Sequence, residues 1–165
     1  MSTHTPVPVS ETAIQRFRRL LPASHNPELI VLKGHLLVEA ELERFLQVAS
    51  RHPDQLNDAR LSFVQKTCLV RAFGGWPPKD SLWLFIIQLN VLRNRLGHRL
   101  ESGDIGTQID GLLRIYWAEE FILPNSPRQR STRLRQTLAL VVAMMHGFTE
   151  GCAMTTSHRK SALSA

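Results

Sequence analysis

The segment from Leu89 to His98 places an arginine, amide side chains and a histidine at helical spacing. Arg93 and Asn94 are adjacent, and His98 follows Asn94 by about one helical turn. A histidine, whose ordinary pKa is about 6.5, can accept or release a proton near neutral pH. A guanidinium can stabilise the charge that develops on phosphoryl oxygens, and an amide can orient the phosphate. These residue types could therefore support acid–base chemistry at a phosphodiester without a metal ion.

The helix that must carry these residues is also apolar. At about 100° per residue, its leucines and phenylalanine form one stripe that we expect to face a bundle core. The polar flank beside that stripe spans an arc of roughly 140° from Arg93 to His98. A glycine inside a helix costs about 1 kcal/mol relative to alanine, so Gly97 predicts the close approach of a second backbone or a substrate. The polar flank consists of Asn90, Arg93, Asn94, Gly97 and His98.

The Arg-Asn-x3-His pattern of Arg93, Asn94 and His98 resembles the signature of the HEPN superfamily, whose active members cut RNA without a metal. Segments 33–43, 61–66 and 89–98 together resemble the layout of a compact bacterial subgroup, over about residues 28–121. The resemblance implies an all-helical fold and a homodimer in which two copies of the fourth predicted helix line one cleft. It implies RNA as the substrate, no cofactor and no metal.

The same resemblance assigns roles to individual residues. His98 would act as general base or acid on the ribose 2′-OH or the leaving 5′-oxygen, and Arg93 would stabilise the phosphorane oxygens. Asn94 would orient the phosphate or the histidine, with Asn90 and Gly97 in support. Apart from the resemblance, Glu39 on the second predicted helix is expected to pair with Arg93 from the facing helix.

A toxin–antitoxin or phage-defence setting fits this assignment, with an antitoxin or regulatory protein as a possible partner. The toxin branch of the superfamily commonly has a tyrosine two residues after the histidine, and some antitoxins modify that tyrosine. Leu100 occupies the corresponding position here, so such a modifying partner is less expected.

An alternative stays open, because the layout also resembles the mannitol operon repressor family. That family has a related order of helices and no evident catalytic role. On this alternative the chain is a non-catalytic HEPN module, a transcriptional or post-transcriptional regulator that binds RNA or a protein partner.

The net charge of +6 rests mainly on arginine, which suits phosphate recognition because its planar fork donates parallel hydrogen bonds. Arg95 and Arg99 beside the motif are candidate RNA contacts, as are Arg128 and Arg130 in an arginine-rich segment near the C-terminus. A solvated helix face is the alternative interpretation. His35–Glu39 and His146–Glu150 lie one turn apart without a third ligand, so they predict local hydrogen bonds rather than metal binding.

The remaining pattern predicts a single all-α bundle of about five to six helices, with no segment of strand periodicity. The domain is predicted over residues 10–151, between a flexible N-terminus at 1–9 and a flexible basic tail at 152–165. No apolar run reaches the roughly 20 residues of a membrane span, so we expect a cytoplasmic protein. The predicted helices cover residues 10–21, 26–50, 58–73, 80–100, 104–121 and 127–151.

Overall fold

The computed structural model describes residues 13–21, 25–74, 80–98, 104–118 and 122–163. Within these ranges the chain forms seven helices and no strand, so the predicted all-α bundle is confirmed with one helix more than expected. The helices are α1 (Ala13–Leu20), α2 (Pro27–Ala49), α3 (Pro53–Asp58), α4 (Phe63–Phe73), α5 (Asp80–His98), α6 (Ile105–Trp117) and α7 (Pro127–Leu163).

Short polar side chains set most helix starts. The side chain of Asn26 accepts a hydrogen bond from the backbone N–H of Leu29 at 3.0 Å, which confirms the predicted start of α2. The third predicted helix was wrong at its start, because Asp58 ends the short helix α3 instead. Ser62 and Gln65 form a reciprocal capping box, and this pair begins α4 at the next residue, Phe63.

The last helix differs most from its prediction. α7 continues to Leu163, whereas the sequence predicted an end at Gly151. No proline follows Gly151, and a lone glycine lowers helix stability without ending the helix. The backbone of most of the predicted tail is therefore helical.

Part of α7 is also long and apolar enough to cross a membrane. Among the described residues this is the single helix that passes by length and composition, over Pro127–Met154, although no apolar run in the sequence predicted it. One side of this stretch is packed in the protein core, including Leu134, Leu138 and Val142, which is compatible with a soluble bundle.

The centre of the bundle is the contact between α2 and α7. Gly34 lies directly beneath Leu138, and a Cβ atom at Gly34 would lie only 2.5 Å from Leu138 Cδ1. The two helices can therefore approach closely only because position 34 has no side chain. α5 packs against α2 and α6, and its Phe85 and Leu89 are fully buried.

Two groups of charged residues hold α7 to its neighbours. Arg130 at its N-terminal end is bonded to Asp110 of α6. Near its middle, His146 and Glu150 contact Arg44 of α2. His146 Nε2 and Glu150 Oε1 are 4.0 Å apart, so the predicted hydrogen bond between them is not formed. Both side chains contact Arg44 instead. No group of three or more potential metal-ligating side chains occurs in the described ranges.

Candidate functional site

The motif lies in the C-terminal half of α5, and the helix presents it at the protein surface. Arg93 and Asn94 are both exposed, whereas Leu89 and Leu92 on the core-facing side of the helix are buried. The guanidinium of Arg93 donates a hydrogen bond from NH1 to Asn94 Oδ1 at 3.1 Å. The two adjacent side chains therefore form one surface unit.

His98 is the last residue of α5, and its side chain lies outside the described residues, as do Arg99 and Leu100. The backbone places His98 one helical turn after Asn94, which is the relation that the sequence predicted. The contacts of its imidazole stay a prediction.

Asn90 connects the polar flank to the protein interior. Its Oδ1 atom is 3.0 Å from Nε2 of His35 on α2. The imidazole of His35 is only 4% exposed and stacks on Phe63 of α4, with ring centroids 4.3 Å apart. Helices α2, α4 and α5 therefore meet at this contact. Asn90 and His35 are 55 positions apart in the chain.

Beside His35, Lys66 of α4 makes two ion pairs with α2. Its Nζ atom donates to Glu39 at 2.7 Å and to Glu43 at 2.5 Å, and the side chain of Lys66 is 11% exposed. The expected pair between Glu39 and Arg93 is not formed, because Lys66 takes the Glu39 carboxylate. Glu39 thus supports α4 and not the guanidinium of the motif.

The pKa values of the buried groups follow from these contacts. Burial lowers the pKa of His35, and its hydrogen bond with Asn90 and the charge of Glu39 offset only part of that shift. Arg93 and Lys66 lower the pKa of His35 further. Burial also acts to lower the pKa of Lys66, but the hydrogen bonds to Glu39 and Glu43 and the negative charges of these two residues together outweigh it and raise that pKa. His35 is therefore neutral and Lys66 charged at pH 7.

The solvent-facing side of α5 carries an apolar stripe in line with the motif. Leu84 is 51% exposed and Ile87 is 39% exposed, and Val91 is half-buried. These three positions are spaced by three and four residues, and Asn94 and His98 continue the same alternation. This is the spacing of a helix–helix seam. We call positions 84, 87, 91, 94 and 98 the α5 seam.

The other predicted site residues lie apart from this unit or have different partners. Gly97 is exposed, and a Cβ atom there would meet none of the described residues within 4 Å. Arg95 is exposed on α5 and Arg128 is exposed on α7. Arg130 is engaged by Asp110, so its guanidinium serves the contact between α6 and α7 rather than the surface.

Sequence reasoning missed His35 and Lys66 as neighbours of the motif. His35 was considered only with Glu39, four residues away, because local spacing reveals contacts within one helix and not between helices. A signal was nevertheless present, since both side chains fall on apolar helix faces, where a polar group must find a partner.

Comparisons with known proteins do not add a family to this geometry. No family model matches the chain, and no curated protein and no solved structure matches it. The chemistry of this site therefore depends on the side chains present. A surface guanidinium next to an amide can bind an anionic oxygen, and the backbone of α5 brings a histidine within one turn.

Proposed function

We propose that this chain is a metal-independent endoribonuclease of HEPN type that acts as a homodimer. The observation that carries the proposal is the exposed Arg93–Asn94 unit, which lies one turn before His98 and next to an exposed apolar stripe on the same helix. Arg93 supplies positive charge for the phosphoryl oxygens, and Asn94 holds the guanidinium. His98 supplies the group that moves a proton.

The reaction is transesterification within RNA. The 2′-oxygen attacks phosphorus, His98 removes the 2′-proton, the bond from phosphorus to the 5′-oxygen breaks, and the 5′-oxygen receives a proton. Two His98 residues from paired subunits would divide the roles of base and acid. The products are a 2′,3′-cyclic phosphate and a 5′-hydroxyl. A strand without the 2′-hydroxyl is not cut.

The α5 seam supports the homodimer. Leu84 and Ile87 are large apolar side chains left exposed on a core helix, and their row runs directly into Asn94. Two copies of α5 packed along this row would bury the apolar side chains and bring the two motifs together.

RNA degradation in EDTA tests the proposal. Wild type should cut a 5′-labelled RNA and leave the matching DNA intact, and Arg93→Ala and His98→Ala should each lose at least about a hundredfold in rate. Gln88→Ala, on the exposed side of the same helix, is the matched control and should keep its activity. Intact RNA after prolonged incubation with a folded dimer would overturn the proposal.

A second candidate is the non-catalytic module that binds RNA or a protein partner. It is favoured by an open groove along α7, formed by adjoining cavities of about 580 and 640 Å³. Arg128, Arg133 and Arg135 line these cavities, and no acidic residue among those that the structure describes does so, while Ile122 and Leu140 leave apolar surface exposed beside them. A basic and apolar groove suits an anionic partner.

RNA affinity separates the two candidates. On the second candidate, Arg128→Gln weakens RNA binding, and Arg93→Ala changes neither binding nor RNA integrity. On the first, Arg93→Ala removes cleavage. A toxic effect on expression that His98→Ala relieves would also favour the nuclease and a toxin or defence role.

A further inference from the structure

His35 is an unexpected residue at the centre of a helical core. It is 4% exposed, and an apolar side chain there would pack on Phe63 without the cost of burying two ring nitrogens. Only one of those nitrogens makes a hydrogen bond. The other, Nδ1, is buried and lies 4.0 Å from Glu39 Oε2, so the predicted local hydrogen bond between His35 and Glu39 is not formed. Buried polar atoms normally have partners, so packing alone does not explain a histidine at this position.

The satisfied nitrogen defines the orientation of Asn90. An amide oxygen can only accept, so His35 Nε2 carries the proton and donates to Asn90 Oδ1. That bond occupies the acceptor side of the amide. The side-chain groups of Asn90 that remain available to another partner are the two N–H donors of its Nδ2 atom.

The same arrangement recurs one turn along α5. Asn94 Oδ1 accepts from Arg93, so Asn94 also retains only its amide donors. The guanidinium of Arg93 uses one of its five N–H groups in this bond and has no acceptor atom. Asn90, Arg93 and Asn94 therefore present donors alone, and the two amide oxygens face partners within the protein.

We propose that His35 is a positioning residue that holds Asn90 with its amide donors outward, so that Asn90, Arg93 and Asn94 together bind one phosphodiester anion. A surface with donors only is complementary to anionic oxygens and offers no acceptor to a cation. The choice of a phosphodiester rests on the proposed function. The donor geometry does not rest on the proposed function, because the same three side chains would bind an anion even if the protein cut no RNA.

Binding of a DNA oligonucleotide tests this inference, because a strand without 2′-hydroxyls supplies the phosphodiester and is not consumed. The side-chain amide signals of Asn90 and Asn94 in a ¹⁵N spectrum should shift as the oligonucleotide is added. A ¹⁵N spectrum of the His35 ring should show the proton on Nε2. Unmoved amide signals at saturating oligonucleotide, or a proton on Nδ1, would overturn the inference.

Two substitutions at position 35 separate positioning from packing. His35→Leu keeps an apolar contact with Phe63 and removes the donor, so the oligonucleotide should bind at least about fivefold more weakly. His35→Gln restores an N–H donor toward Asn90, and its affinity should lie within about twofold of wild type. Equal affinity in a folded His35→Leu variant and wild type would contradict the role.

A third substitution avoids the core. Asn90→Asp keeps an oxygen for His35 and replaces the amide donors by an acceptor with negative charge, so binding should fall at least about tenfold. Asn57→Asp on α3 is the matched control, because Asn57 Oδ1 likewise accepts one hydrogen bond, from Gln47 at 3.0 Å. The control has the same change in net charge and should bind almost as wild type does.

The outcomes also distinguish this inference from the proposed function. If the amide signals shift and Asn90→Asp abolishes binding while RNA stays intact, the donor surface is retained and the nuclease is rejected. If RNA is cut and Asn90→Asp binds the oligonucleotide as tightly as wild type, the nuclease is retained and the role of His35 is rejected.

Discussion

Arg130 and Asp110 form a bidentate pair between α7 and α6, with Nε to Oδ1 at 2.7 Å and NH2 to Oδ2 at 2.8 Å. The side chain of Asp110 is only 12% exposed. Such a pair is strongest when both hydrogen bonds are made, and the loss of one partner leaves the other charge partly buried.

Arg130→Ala should therefore lower the free energy of unfolding by about 1–3 kcal/mol, as measured by urea denaturation. Arg128→Ala is the control, since Arg128 lies one half-turn earlier on the same helix and is exposed. Equal losses in the two variants would mean that the bidentate pair does not stabilise the bundle.

Gly34→Ala should also destabilise the protein. The new Cβ atom would lie 2.5 Å from Leu138 Cδ1, and Leu138 is fully buried, so its side chain cannot move aside freely. We expect a loss of about 1–3 kcal/mol in the free energy of unfolding. Gly147→Ala on α7 is the control, because a Cβ atom there meets none of the described residues within 4 Å. Alanine is the better helix former, so this control should gain up to about 1 kcal/mol.

Acidification should weaken the fold through His35. Burial lowers the pKa of His35 in the folded chain, whereas the unfolded chain has the ordinary value of about 6.5. Between these two pKa values the unfolded chain binds more protons, so the free energy of unfolding falls as the pH falls through that window. Above about pH 6.5 this contribution is fully present.

Urea denaturation from about pH 7.5 to about pH 5 measures this dependence. His35→Leu should show a shallower loss of stability than wild type over the same range. His52→Gln is the control, since His52 is exposed, and it should keep the wild-type dependence. Parallel curves for wild type and His35→Leu would assign the acid sensitivity to other groups.

Leu84→Glu should convert the proposed dimer to a monomer. Leu84 is 51% exposed in the single chain, so glutamate there changes the free energy of unfolding of the protomer by no more than about 0.5 kcal/mol. Within a packed α5 seam the two carboxylates would be buried and would repel each other. Sedimentation equilibrium reports the mass. Ile122→Glu, at a site 74% exposed outside the seam, should leave the mass unchanged. A monomeric wild type would rule out the seam.

The sequence was sufficient for the parts of this fold that depend on local chemistry. Asn26 and Asp104 begin helices because their side chains accept backbone N–H bonds three residues later. The sequence predicted both starts, and at Asn26 it also predicted the cap. The end of α7 was missed because Gly151 is a weak local signal. No proline follows Gly151, and α7 continues to Leu163.

The candidate site was predictable only along α5. Arg93, Asn94 and His98 share one helix, so their spacing revealed them, and the pairing of Asn90 with His35 did not appear. That contact joins helices far apart in the chain, and periodicity gives the face of each helix but not which helices meet. The pairing of Glu39 with Lys66 rather than Arg93 was missed for the same reason.

The contact between α2 and α7 also has a consequence for synthesis of the chain. Arg44 and His146 are separated by 102 positions in the chain. Leu138 and Gly34, which pack against each other, have a similar sequence separation. A growing chain emerges at about 5–20 residues per second, so α2 leaves the ribosome several seconds before its main packing partner. During that interval its apolar face has no native cover, and a nascent chain stalled before α7 should be a preferred target for chaperones and proteases.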